Sequence, residues 1–189
     1  MNSPLFIIFN MVVNFALWLF FIRFMLQFAG AEKKHPYVAP AYRLTAVVDI
    51  FSRIFPTLGK GRLNTAALVL MLLLWWIGIA GRASLLGEQL TALQLFFSGT
   101  MTAVIAFLEA LKWTILASVI CSFVVMLSQK IHPVIDLLMQ VATPIIEPFR
   151  KISPDLGMID LTPLIAMLVY SLAATMLQII AQDMWRLIS

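Results

Sequence analysis

From Leu5 to Ile22 the chain runs for eighteen residues without a charged side chain, with only Asn10 and Asn14 to relieve its apolar character. A hydrocarbon core about 30 Å thick needs about 20 mostly apolar residues at about 1.5 Å each, so such a run is built to cross a bilayer. Apolar stretches at 5–28, 63–80, 101–127 and 163–182 predict four spans in all. Composition points the same way. Of 189 residues, 62% are hydrophobic and 12% charged, where soluble domains sit near about 45–50% and about 25%. The 14 Phe and 5 Trp exclude a disordered chain. The first basic residue, Arg23, follows the opening run instead of preceding it, and the run exceeds the core of a signal peptide, so it reads as a retained span.

The span edges carry their own signals. Arg23 and Gln27 close the first span, where long side chains can snorkel to headgroups. The second, from Leu63 to Ala80, has Trp75 and Trp76 as an interfacial anchor and Gly78 and Gly81 for close helix contact. Apolar character then continues from Leu90 to Leu127, too long for one crossing. Gly99 and the polar cluster at 98–102 predict a short interfacial helix over 88–98, followed by a span over 101–127. In that span Glu109 and Lys112, spaced i,i+3 toward its end, can neutralise each other. The fourth span starts with Thr162 as N-cap and Pro163 at the first helical position, and ends at Asp183, Trp185 and Arg186.

Orientation follows from the basic residues. The connection 29–62 holds Lys33, Lys34, Arg43, Arg53, Lys60 and Arg62, and the connection 129–161 holds Lys130, Arg150 and Lys151. The opposite side offers only Arg82 and Arg186. Nine against two places both basic connections in the cytoplasm and both termini outside. The net charge of +4 is thereby assigned to topology and anionic headgroups, and nucleic acid is not an expected partner.

An offset of 98 residues brings Thr45, Asp49, Phe51, Ile54, Pro56, Leu58, Gly59 and Leu63 onto Thr143, Glu147, Phe149, Ile152, Pro154, Leu156, Gly157 and Leu161. His35-Pro36 and His132-Pro133 recur with a one-residue slip. The chain therefore reads as two tandem units, 1–80 and 101–189, joined by an external connection at 81–100. Each unit is a span, a basic connection, a Pro-x-Leu-Gly turn and a second span. An even number of crossings makes the units parallel. The connections are amphipathic: Val134, Leu138, Val141, Ile145, Phe149 and Ile152 recur at helical spacing in the second, and Leu44, Val47, Val48, Phe51, Ile54 and Phe55 in the first. They are too short and too charged to span, so they are expected to form interfacial or re-entrant hairpins, bent in the second unit at Pro144 and Pro148. The Gly of each turn supplies the left-handed backbone needed to redirect the chain.

The string Thr143-Pro144, Glu147-Pro148, Arg150-Lys151, Pro154-x-Leu156-Gly157, Asp160, Thr162-Pro163 resembles the signature of the YggT family of small bacterial inner-membrane proteins, whose proteobacterial form carries the unit twice. The resemblance covers nearly the whole chain. In the first unit it runs through Arg23, Gln27, Pro36 and the Pro56-x-Leu58-Gly59 turn, but Ile50-Phe51-Ser52-Arg53 stands where the signature has Pro-x-Arg-Arg, and Arg62 stands where it has Asp. The resemblance implies an inner-membrane location and a link to osmotic or ionic stress tolerance and potassium handling. It also implies a relation to chloroplast proteins that attach haem to a b-type cytochrome.

Glu147, Arg150, Lys151, Pro154, Gly157, Asp160 and Pro163 are the candidate site residues: Asp160, at the start of the fourth span, is placed to lock the basic hairpin onto the bundle, and Arg150 and Lys151 to meet lipid phosphate. The bland alternative is that Asp160 merely assists the helix N-terminus. Asn10 and Asn14 on the first span, with Ser171, Thr175 and Gln178 on the fourth, form candidate polar faces, read first as hydrogen-bonding glue between helices and second as the lining of a water or ion path. His35 and His132 precede Pro outside the spans and lack a third ligand, so they read as turn residues; with no His in the spans, haem held by two histidines between helices is excluded. The lone Cys121 permits no intrachain disulfide. No catalytic arrangement, phosphate-cradling loop or cofactor motif is present. The expected function is a non-enzymatic inner-membrane scaffold or assembly factor that binds other membrane proteins or itself, with a small ion channel or transporter subunit as the alternative.

Overall fold

The computed structural model describes residues 4–59, 61–154 and 160–188. In chain order its helices are α1 (Pro4–Phe28), α2 (Ala39–Leu44), α3 (Ala46–Phe51), α4 (Thr65–Leu86), α5 (Ala92–Ser128), α6 (Pro133–Ile146), a 3-10 turn (Glu147–Lys151) and α7 (Thr162–Ile188). Extended structure among the described residues is limited to an isolated bridge between Leu58 and Leu63. Four helices, α1, α4, α5 and α7, are long and apolar enough to cross a membrane, and the chain is a multi-pass membrane protein.

The third span differs from expectation. α5 runs unbroken for 37 residues, with no separate helix at 88–98. Thr91 and Gln94 form a reciprocal capping box that starts it. The polar cluster does not break it, because Ser98 and Thr100 donate to the carbonyls of Gln94 and Phe96 one turn back, each at 2.7 Å. Gly99 serves packing: a Cβ there would collide with the Trp76 ring, so the glycine lets α4 lie against α5. At about 1.5 Å per residue α5 is about 55 Å long, well beyond one hydrocarbon thickness. The unbroken helix also puts Glu109 and Lys112 near its middle instead of at a span end, where they pair with each other.

α4 and α7 extend past their expected ends. α4 continues to Leu86 because no breaker intervenes before Gly87, whose φ of 75° closes the helix. α7 carries on through an exposed Asp183–Arg186 pair at i,i+3.

α1 packs antiparallel to α4. Near one end Gly81 lies under Phe9, and Gly78 faces Val13, whose Cγ1 would be 3.0 Å from an added Cβ. At the other end α1 meets Asn64, the N-cap of α4. α5 joins the two halves: it packs on α4 through Trp76, and its Phe107 meets Phe21 and Phe24 edge-on at 5.8 and 5.5 Å. Its main partner on the other side is α7. The core centres on the fully buried Val48, Ala66, Ala67, Ile115 and Ala166.

The connections fold as broken helices against this bundle. In the first, the helix breaks at Thr45, whose hydroxyl turns back onto the Ala41 carbonyl at 2.6 Å, giving two short helices. Its stripe is only half used: Val48 is buried and Phe51 and Phe55 pack on the core, while Leu44, Val47 and Ile54 are exposed. The second is one helix, α6, ending in the 3-10 turn after Pro144, with Pro148 in that turn. There Val141, Ile145 and Phe149 pack inward, and Val134 and Ile152 at the ends of the stripe are exposed. Gly59 adopts a φ of 59°, the left-handed turn expected of it.

Candidate functional site

The densest polar cluster lies where the first connection meets the C-terminal end of α1. Arg23 does not snorkel. It is 1% exposed, its Nη2 donates to Asp49 of α3 at 2.5 Å, and its guanidinium lies 3.4 Å from the centre of the Tyr42 ring. One turn on, the Gln27 amide donates to the Gly61 carbonyl at 2.9 Å and accepts from the buried Asn64 at 2.8 Å. Asn64 in turn accepts from the Ala67 N–H, capping α4. Arg23 and Gln27, spaced i,i+4 on α1, thus hold α3 and the start of α4 against it. Burial pushes the Tyr42 hydroxyl's pKa above the usual value, opposed by Arg23 and reinforced by Asp49. These side chains, with Lys33 and Arg62, surround a cavity of about 510 Å³.

The constellation picked out on the second connection is looser. Glu147, Arg150, Lys151 and Pro154 are exposed, and none of the three charged ones forms an ion pair among the described residues. Gly157 lies outside the described residues. Asp160 acts on its own helix: the Thr162 hydroxyl and the Thr162 N–H, the latter at 2.8 Å, hold its carboxylate below the usual pKa range, and Arg150 adds less than either. α7 begins at Thr162 with Pro163 second, so Thr162 is the first helical residue and not the expected N-cap, and its N–H is taken up by the Asp160 carboxylate. Among the described residues, the ion pair that ties a connection to a span lies in the other half, between Arg23 and Asp49. Local periodicity had no means of finding it; the signals were a charge inside an otherwise uncharged span and an acid on an amphipathic stretch.

His35-Pro36 sits in a turn, as expected, whereas His132-Pro133 opens α6. His132 caps α6, accepting from Val134 N–H at 3.3 Å, and Tyr37 lies between the rings of His35 and His132 at 5.7 and 6.4 Å. No three His, Cys, Asp or Glu side chains among the described residues are grouped to hold a metal.

Of the candidate polar faces, Asn10 donates to the Phe6 carbonyl and Thr175 to the Ser171 carbonyl, each within its own helix. Gln178 is exposed on α7, whose main partner is α5, whereas α1 packs chiefly on α4. The two faces are not brought together. Asn14 differs: its side chain makes no hydrogen bond among the described residues and lines an apolar groove of about 470 Å³ between α1, α4 and α5. Trp18, Phe21, Met71 and Trp75 form the walls, and Ala103, Ala106 and Ala110 give α5 a low surface on the floor.

Comparison with known proteins finds a family and several relatives. The family model described as CCB3/YggT matches residues 2–82 and 97–181. The uncharacterized protein PA0392 of Pseudomonas aeruginosa is 30% identical over 154 residues, covering 80% of this chain and 76% of its own. The uncharacterized protein YggT of Escherichia coli K12 is 25% identical over 170 residues, covering 89% and 85%. No solved structure matches the chain.

Proposed function

This chain belongs to the CCB3/YggT family, and from that premise we propose that it is a non-enzymatic scaffold or assembly factor of the bacterial inner membrane that docks a transmembrane helix of another membrane protein. The observation that carries the reading is the groove between α1, α4 and α5: bulky walls, a floor of small residues and one unpaired amide, Asn14, at span depth. Small residues let a second helix approach closely, and an amide without a partner in hydrocarbon rewards a helix that brings one, by about 0.5–2 kcal/mol. The partner has a small-residue face and a polar side chain opposite Asn14.

The scaffold consists of two parallel units. The match to the family model in two segments supports that division, as does the order long helix, broken connection, long helix in both halves. The excess of Lys and Arg on the connections orients them to the cytoplasm with both termini outside, where Arg150 and Lys151 meet anionic headgroups. The link to osmotic and ionic stress rests on the family resemblance.

Photo-crosslinking in native membranes combined with potassium and sodium flux in liposomes tests the proposal. Probes at Trp18 and Ala103 in the groove give discrete protein adducts, probes at the exposed Leu168 and Leu172 of α7 give lipid, and the liposomes stay silent. Ion flux by the purified chain alone, with no protein adduct at the groove, contradicts it.

A further inference from the structure

We infer that the cavity around Arg23 is an oxyanion site that takes a phosphate group, either the headgroup of an anionic phospholipid or free phosphate. A guanidinium has five N–H donors. Arg23 gives one to Asp49, while its Nε and Nη1, both buried, have no partner among the described residues. Leaving such donors unmet in a low-dielectric setting is costly, and a charged acceptor relieves more of that cost than a neutral one.

The charge around the cavity points to the same ligand. Among the described residues, Arg23, Lys33 and Arg62 line it against Asp49 alone, an excess of two positive charges. Arg23 and Lys33 even share one aromatic ring, at 3.4 and 5.4 Å from the centre of Tyr42. Asp49 does not fill the acceptor role completely, because its side chain is 54% exposed and bonds a single guanidinium nitrogen. Thr57 adds a hydroxyl-bearing side chain to the lining, whereas the Ser52 hydroxyl is already given to the Asp49 carbonyl. Arg23 forms the floor and the exposed Lys33 and Arg62 the rim. At about 510 Å³ the cavity is roomier than a bare phosphate requires, which leaves space for a glycerol headgroup.

The site is tested on delipidated full-length protein in detergent, titrated with phosphatidylglycerol and separately with sodium phosphate, with bound ligand counted by native mass spectrometry. Lys33→Ala/Arg62→Ala removes the rim without touching the Arg23–Asp49 pair, and Lys130→Ala/Arg186→Ala removes two exposed cations elsewhere. Phosphatidylglycerol binding that falls about tenfold or more in the first variant and holds in the second supports the site and identifies a lipid. The same pattern with sodium phosphate supports the site and identifies a soluble anion. Arg23→Lys, which keeps the charge but loses most of the donors, weakens whichever ligand binds. Binding of neither ligand, or equal losses in both double variants, overturns the inference.

Discussion

Arg23 of α1 and Asp49 of α3, 26 residues apart, meet at 2.5 Å with the arginine fully buried and the aspartate half exposed. The pair fixes the first connection to the span that precedes it. Asp49→Ala therefore leaves a buried charge uncompensated, and the expected loss is about 2 kcal/mol, below the range for a wholly buried pair because solvent reaches Asp49. Removing both charges in Arg23→Met/Asp49→Ala costs less than Asp49→Ala alone. Thermal unfolding of the three variants in one detergent checks the order.

Asn64 does two things with one side chain, accepting from Ala67 N–H at 3.0 Å and donating to Gln27 at 2.8 Å. Asn64→Ala loses the cap and strands Gln27, costing about 2–3 kcal/mol. Asn64→Asp keeps the cap acceptor and loses only the donor, so it retains part of the stability by the same measurement.

Gly99→Ala drives a methyl group into Trp76 and is expected to destabilise by about 1–3 kcal/mol, while Gly99→Ala/Trp76→Leu recovers most of the loss. A double-mutant cycle on unfolding midpoints reads the coupling.

The spans were legible because a charge-free run of bilayer length has few other uses. The continuity of α5 was not. Ser98, Gly99 and Thr100 look like a break to local rules, yet their needs are met by carbonyls one turn back and by a tryptophan from another helix. Arg23 was misplaced for a related reason: a basic residue near a span end looks like a headgroup anchor unless its acid, 26 positions on, is seen to fold back onto it. His35 lies in a turn as read, whereas His132 is the N-cap of α6, because the proline after it is accepted at the first helical position.

Asp160 takes up the Thr162 N–H of α7 in its ionised form, with its pKa lowered chiefly by the Thr162 hydroxyl and that N–H. A depressed carboxylate contributes stability that is present above the unfolded-state value, near pH 4 on average, and is lost as pH falls through the lower folded value. Asp160→Ala is expected to cost about 1 kcal/mol at neutral pH and to narrow toward the parent below about pH 4, whereas Asp160→Asn keeps a neutral acceptor whose contribution does not change with pH. Unfolding midpoints across pH 3–7 test this.

The groove as a docking site for a partner helix is tested most directly by filling it. Ala106→Trp fills the groove from its α5 side, and Ala106 is not part of the Arg23 cavity. With a photo-crosslinker at Trp18 in native membranes, the account predicts one protein adduct in the parent and its loss in Ala106→Trp at unchanged thermal stability. An adduct that persists in the filled variant would contradict it.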